Sequence, residues 1–200
     1  MLTAQREAGY KNIQLNAGVF LYDFDPSTYK TAAEIRTAAT KAITDGTNII
    51  GMTRGGGSFS VTKETRSIEA DGKRNEFVGS TVIDSVDAKI TATLLEFTPE
   101  NMKLALTTGE AATSGNVTTI KMRSTLQDSD YIAKLCWVGE RSDGAMIAIC
   151  FDNALNNSDF EFSFSDKAEG TTTVEFHAYQ SGVTTEDYAP FAIYILSEAA

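Results

Sequence analysis

The clearest pattern in the chain is a long alternation of apolar and polar side chains near its middle. In the first arm, Phe59 and Val61 alternate with polar residues, which is the period-two pattern of a half-buried strand. An Asp-Gly pair beginning at Asp71 accepts a positive φ and marks the turn. The returning arm places Val82, Val86, Ala88, Ile90, Ala92 and Leu94 on one face and Thr81, Ser85, Asp87, Lys89, Thr91 and Thr93 on the other. The pattern predicts a β-hairpin over residues 57–97, with a loop at 69–80.

The predicted hairpin is long, and one of its faces is wholly polar and rich in threonine. An ordinary strand has roughly five or six residues. A compact domain has little use for a long ribbon that is polar on one side. A wall between an apolar core and a water-filled space would use both faces.

One short helix is predicted before the hairpin and another after it. Thr31 opens a capping box, and the alanine-rich run after it favours helix as far as Ile43, until the Asp-Gly pair at Gly46 stops it. Thr98 is a second N-cap, and the proline after it suits the first position of a helix that runs to about Gly109. Two irregular segments are predicted, an extended arm at 1–12 and a flexible loop at 110–118.

Strand-like runs make up most of the remaining chain. The runs at 131–139 and 144–151 are apolar enough to be central, buried strands. Three phenylalanines alternate with polar residues and are predicted to be core residues: Phe160, Phe162 and Phe164. Further strands are predicted at 13–24, 174–179 and 191–196. The fold class is therefore mainly β, with two packed antiparallel sheets, a β-sandwich or partial barrel, flanked by one or two short helices.

Several short motifs in this chain have the order and spacing of a known family. They are the segments 50–56 (IGMTRGG), 66–72 (RSIEADG) and 94–101 (LLEFTPEN), followed by the succession of strands and turns at 148–179. The chain resembles the major tail tube protein of long-tailed bacteriophages, from about Ala17 to the C-terminal strand.

The resemblance implies a structural virion protein without a catalytic site or cofactor. Its copies would form hexameric rings that stack into a hollow tube, through which genomic DNA passes into the host. The implied partners are further copies of the chain, a tape-measure protein, the tail terminator and initiator proteins, and DNA in transit. The tube would be assembled in the host cytoplasm and remain in the virion. Residues 1–200 would form a single tail tube domain, with the loop 69–80 and the arm 1–12 as contacts between stacked rings.

In that architecture the hairpin strands join a continuous barrel that lines the bore and removes exposed sheet edges. The apolar face would pack inside each subunit through Phe59, Val61, Val86, Ile90 and Leu94. The opposite face would line the lumen through Ser60, Thr62, Glu64, Asp87, Thr91 and Thr93.

The net charge and the hydropathy of the chain argue against two classes of function, a DNA-gripping module and a membrane-spanning protein. The formal net charge is −10 and the pI is near 4.6, so the surface repels phosphate and does not suit a DNA-gripping module. The same charge suits a bore, because DNA keeps its condensed counterions as it passes. No apolar run approaches the roughly 20 residues of a membrane span. With no basic, apolar leader at the N-terminus, the sequence predicts cytoplasmic synthesis and no membrane insertion.

The two cysteines lie on either side of a predicted turn near Asp143, so a hairpin there would place Cys136 opposite Cys150. They are interpreted either as a disulfide or redox pair or as two small buried thiols. A reducing cytoplasm favours the buried thiols.

Patterns that could carry chemistry are incomplete. The segment 51–58 fits a phosphate-binding loop except that glycine replaces the lysine and a strand follows, so we expect a glycine bend. The segment 23–34 resembles a calcium loop but lacks the glycine at its sharp turn. His177 is the sole histidine, and nothing in the sequence brings it to Cys150 as a base for a nucleophile.

The sequence therefore predicts that the chain is not an enzyme and holds no metal or cofactor. Two alternatives to a long, non-contractile tail tube remain open. One is a β-sandwich binding module for a host surface or carbohydrate, which would expose aromatic side chains. The other is the tube subunit of a contractile tail or secretion apparatus.

Overall fold

The computed structural model describes Gly9 and residues 13–14, 18–182 and 188–198. Twelve β-strands and two α-helices lie between residues 18 and 198 of this described part. The strands are β1 (Val19–Leu21), β2 (Thr53–Ser67), β3 (Thr81–Leu94), β4 (Gly109–Ser114), β5 (Val117–Met122), β6 (Ile132–Ala133), β7 (Cys136–Glu140), β8 (Met146–Phe151), β9 (Asn153–Asn156), β10 (Phe162–Ser165), β11 (Ala168–Tyr179) and β12 (Phe191–Leu196). The helices are α1 (Ala32–Asp45) and α2 (Pro99–Leu106). The predicted mainly β class with two short helices is confirmed.

The strands pair antiparallel in three sheets. A four-stranded sheet has the order β1-β7-β8-β12. A larger sheet has the order β2-β3-β11-β9-β6, and β10 pairs with the first part of β11. β4 and β5 form a separate hairpin. The two larger sheets pack against each other, as predicted, and neither closes on itself within the described strands.

The four-stranded sheet lies between two apolar layers. On one side its residues Phe20 and Phe151 pack against Ile90 and Phe176 of the large sheet. On the other side β1, β7 and β8 pack against α1, where Ile35 is fully buried. The base of the β2–β3 hairpin is thus fixed in the deepest part of the core.

Both helices begin where the sequence predicts. The Thr31 hydroxyl accepts a hydrogen bond from the Glu34 N–H at 3.3 Å. The Glu34 carboxylate accepts from the Lys30 N–H at 2.7 Å, one residue before the position that a regular capping box uses. Thr98 caps α2 in the same way, through the Asn101 N–H. α2 ends at Leu106, earlier than the predicted Gly109.

The single strand predicted at 131–139 is wrong, because the segment forms two strands in different sheets. β6 belongs to the large sheet and β7 to the four-stranded sheet, with Lys134 between them at φ 46°. β8 and β9 change sheets in the same way on either side of Asp152. The Lys134 N–H donates to the Asp152 carbonyl at 3.1 Å, and the two side chains form an ion pair at 2.9 Å. The apolar run continues across the turn, so the periodicity of the sequence does not reveal it.

The flexible loop predicted at 110–118 is also wrong, because the segment belongs to a hairpin. β4 and β5 pair from Gly109 and Met122 to Ser114 and Val117. Gly115 has φ 59° in the turn, a conformation that glycine adopts without strain. The Gly-Asn pair at this turn was the available sequence signal.

At the N-terminus, the strand predicted at 13–24 contributes the three residues of β1 and an isolated bridge between Gln14 and Arg141. Residues 15–17 of this prediction lie outside the described residues. So does the predicted arm at 1–12, apart from Gly9.

The hairpin predicted around Asp143 is confirmed, and Cys136 faces Cys150 across it. The expectation of two free thiols is wrong, because the two residues form a disulfide. Both half-cystines are buried between the four-stranded sheet and α1. Their facing positions on adjacent strands bring the sulfur atoms together.

We expect Gly57→Ala to lower the free energy of unfolding by about 1–3 kcal/mol, because an added Cβ overpacks the site where the two larger sheets meet. That Cβ would lie 2.6 Å from the Thr91 carbonyl oxygen and 2.8 Å from the Phe20 ring. Urea unfolding measures the change. Ser58→Ala, at an exposed neighbouring position, is the control and should change stability by about 0.5 kcal/mol or less. Equal effects of the two variants would contradict the close approach.

Candidate assembly surface

The β2–β3 hairpin is regular over most of its length and irregular at two points. Near its base, four residues of β2 span the distance of two on β3, and Gly55 and Gly56 have φ 73° and 76° there. This is the glycine bend predicted in place of a phosphate-binding loop. The second irregularity lies between Glu64 and Thr65, where Asp84 is an extra residue on β3. The extra residue brings Val82 opposite Arg66, on the polar face, although alternation predicts it on the apolar face.

The apolar face of the hairpin is buried only near its base. Ile90 and Leu94 are fully buried, and Phe59 packs against the core, as predicted. The prediction that Val61 and Val86 pack inside the subunit is wrong, because they are 41% and 38% exposed. The hairpin extends past the four-stranded sheet, so the described part of the chain leaves its outer half uncovered.

The residues predicted to line a lumen share one face of the large sheet. Ser60, Thr62, Glu64 and Asp87 are exposed, and Thr91 and Thr93 are half-buried. Direct cross-strand pairs such as Thr62 with Asp87 place them on the same side. This polar face continues onto β11, where Thr173, Glu175 and His177 face Thr93, Thr91 and Lys89. Sequence reasoning missed the β11 residues because strand order is a long-range property, although their alternation was visible.

Charged residues on the polar face are paired with one another. His177 Nδ1 lies 2.8 Å from the Asp87 carboxylate, and Nε2 lies 3.0 Å from the Glu175 carboxylate. Lys89 Nζ donates to Glu175 at 3.0 Å. The hydrogen bond from Lys89, and then that from His177, lowers the pKa of Glu175. The Lys89 ammonium group and both ring nitrogens of His177 are thus engaged by carboxylates on the same face.

The loop between β2 and β3 is closed by its own side chains. Lys73 Nζ donates to Ser67 Oγ, the Ile68 carbonyl oxygen and Glu76 Oε2. Glu76 Oε2 also accepts from Ser80 at 2.6 Å and from Ser67 at 2.8 Å. These bonds hold a turn, residues 77–80, at the end of the hairpin.

We call residues 77–80 the apolar turn, because its first two side chains point to solvent. Phe77 is 62% exposed and Val78 is fully exposed. The Ser80 N–H donates to the Phe77 carbonyl at 3.0 Å, and Gly79 has φ 91°. A turn that is fixed from behind and displays two large apolar side chains suits a contact with another molecule.

The phenylalanines predicted as core residues are exposed, which contradicts that prediction: Phe160 is 43%, Phe162 39% and Phe164 79% exposed. Phe162 lies opposite the buried Thr172 and so faces the apolar side of the large sheet. Its ring packs against Phe97 and Phe164 and is not part of the core between the two larger sheets. The alternation was correct, but the extent of the opposing sheet was not visible in the sequence.

We define the aromatic patch as Phe97, Phe162 and Phe164. The ring centroids of Phe97 and Phe162 are 4.0 Å apart, and those of Phe162 and Phe164 are 5.5 Å apart. Gly170 lies against this cluster, since an added Cβ would be 2.6 Å from the Phe162 ring. The β11 backbone therefore supports the patch.

The weaker chemical patterns form no site. Asp25 caps a short 3₁₀ turn through the Ser27 N–H, and the Glu34 carboxylate accepts from the Lys30 N–H just before α1. Within the described residues, no group of three or more His, Cys, Asp or Glu side chains is arranged to hold a metal ion. Cys150 is buried in its disulfide, whereas His177 lies on the polar face, so the structure does not bring the two together.

No helix in the described part of the chain has the length and apolar character needed to cross a membrane. No family model matches the chain, and no curated protein matches it.

We expect the loop to stay closed above about pH 4.5 and to open as the pH falls towards 2. Hydrogen bonds from Lys73, Ser80 and Ser67 lower the pKa of Glu76 to about 2 from an ordinary value of 4.5. A carboxyl group whose pKa is lowered in the folded loop stabilises that loop at any pH above its pKa in the unfolded chain. The stabilisation is lost as the carboxyl group is protonated. The protection factor of the Ile68 amide, which donates to the Ser80 carbonyl, measures the opening.

Glu76→Gln should reduce this protection at neutral pH as well. Asp71→Asn, in the same loop but outside the hydrogen bonds of Glu76, is the control and should keep the pH dependence of the unmodified chain. A loop equally protected in the Gln variant would contradict the role of Glu76.

Proposed function

We propose that the chain is the structural subunit of a hollow tail tube, built from stacked rings through which DNA passes. One observation carries the proposal. The β2–β3 hairpin extends beyond the core of its own subunit, with an apolar face, a polar face and a free strand edge all uncovered by the described residues.

The free edge belongs to β2, which has 15 residues and is the last strand of the large sheet. A long unpaired edge exposes a row of N–H and C=O groups that promotes association with other chains. In a ring, this edge pairs with the outer half of the neighbouring subunit's β3, which β11 leaves unpaired, and repetition around the ring leaves no β2 edge free.

The apolar face gives each subunit a second reason to associate. Val61, Val86 and Ile83 on the outer hairpin are exposed, as are Ile193 and Ile195 on β12. β12 is itself an edge strand, and these two isoleucines face Ile149 and Ile147 of β8. Contact with a neighbour removes this apolar surface from water, and each Å² buried contributes about 25 cal/mol of favourable free energy.

The polar face suits the bore. It presents hydroxyl groups at Ser60, Thr62, Thr91 and Thr93, and its cations Lys89 and Arg66 are paired with Glu175 and Asp84. DNA that meets no free cation releases no counterions and does not adhere. The net charge of −10 acts in the same direction.

On this proposal the partners are further copies of the chain, a tape-measure protein in the bore, and terminator and initiator proteins at the tube ends. The chain acts in the virion after assembly in the host cytoplasm, without enzymatic activity. A contractile tail or a secretion tube uses the same subunit architecture with an added sheath-binding exterior.

A binding module for a host surface is the second candidate, and the exposed aromatic patch favours it. Exposed aromatic rings are common in ligand and partner contacts. This candidate ranks second because a module that acts alone has no use for the free edge of β2.

We expect the purified chain to form rings or hollow filaments of uniform diameter as its concentration rises, in negative-stain electron microscopy. Val61→Asp should raise the concentration needed by about tenfold or more, because it places a charge in the proposed apolar contact. The variant should fold normally, since Val61 is exposed in the single chain.

Val117→Asp is the matched control, because Val117 is also exposed and in a strand but lies on the separate β4–β5 hairpin. We expect it to assemble like the unmodified chain. A protein that remains a monomer at every concentration, even with preformed tail initiator added, and instead binds host cell walls would support the binding module and overturn the tube.

A further inference from the structure

The aromatic patch and the apolar turn lie at opposite ends of the same sheet. The apolar turn immediately precedes β3, and Phe97 follows the last residue of that strand. β3 has 14 residues, so its ends are roughly 45 Å apart at about 3.3 Å per residue. Phe162 lies at the second end, because its partner Thr172 faces Leu94.

The two surfaces differ in shape and support. The patch is a group of adjacent rings held by the β11 backbone at Gly170, and the turn is a protrusion held by the bonds between Lys73 and Glu76. A contact between two different surfaces of identical copies is heterologous, and its repetition produces a linear array when it does not close.

Charge complements the apolar contact. Residues 73–78 carry Lys73, Arg74 and Glu76, and Lys73 pairs with Glu76, which leaves the cation Arg74 without a partner among the described residues. Residues 159–167, which include two rings of the patch, carry the carboxylates Asp159, Glu161 and Asp166 against one cation, Lys167. In a chain of net charge −10, most contacts between copies bring carboxylates together, so a local pairing of opposite charge favours this one.

We propose that the aromatic patch of one copy receives the apolar turn of a second copy, with Phe77 and Val78 against Phe162 and Phe164. This inference rests on the proposed function, in which the contact joins successive rings of the tube. The free edge of β2 serves contacts within a ring, and the two ends of the large sheet serve contacts between rings.

The test uses two full-length variants, each of which removes one surface. Val78→Asp alters the turn and Phe164→Asp alters the patch, and both positions are exposed, so both variants should fold. We expect each variant alone to form rings that do not stack, seen by electron microscopy. A mixture of the two should form pairs of rings, because the intact patch of one variant receives the intact turn of the other.

Charge reversal tests the same contact independently. Arg74→Glu should weaken stacking about tenfold, and combining it with Asp166→Arg, in the turn directly after β10, should restore much of the loss, as coupled residues do in a double-mutant cycle. Phe160→Asp, adjacent in sequence but outside the ring cluster of the patch, is the control and should have a smaller effect than Phe164→Asp.

The outcomes separate this inference from the proposed function. Filaments of normal length from both Asp variants would overturn the stacking contact and leave the tube intact. Stacking lost in Phe164→Asp but kept in Val78→Asp would show that the patch takes another partner, which also overturns the inference. If the unmodified chain forms no rings even with preformed tail initiator, the proposed function fails, and a mixture of the two variants that still pairs would show the contact on its own.

Discussion

The pairing of β3 on both sides is the constraint from which the rest of the structure follows. β2 pairs along β3, and β11 pairs with the half of β3 from Lys89 to Leu94, so the backbone of that half is fixed and its alternation must divide two environments. The apolar residues from Ala88 to Leu94 enter the core between the sheets. The intervening polar residues then have to face outward, beside the polar residues of β11. One strand thus determines both the core and the proposed wall of the bore.

Local signals in the sequence were sufficient for the hairpin and both helices. The caps at Thr31 and Thr98 and the stop at Gly46 each depend on a few adjacent residues, so they were predictable. The change of sheet at Lys134 and the exposure of Phe164 were not. Both depend on where the opposing sheet ends, which no short window of sequence contains. The disulfide was misjudged for a different reason, because an assumed compartment outweighed a correctly predicted facing pair.

Only part of the polar face was predictable from the sequence, again because local signals were visible and long-range ones were not. The alternation of β2 and β3 gave the polar face from Ser60 to Thr93, because a strand's faces are a local property. The contribution of His177 required knowing that β11 lies beside β3. The closed loop around Glu76 required a set of side-chain hydrogen bonds that has no fixed sequence spacing.

The chain passes between the two larger sheets at Lys134 and again at Asp152, and the closeness of these two points has a mechanical consequence. Both β6–β7 and β8–β9 pass from one sheet to the other at this point, and a backbone hydrogen bond joins the two passages. A force that slides one sheet past the other therefore acts along two covalent chains and not only across apolar side chains. In the proposed tube, the subunit would resist shear at this point and deform first at its outer hairpin, which the other described residues leave uncovered.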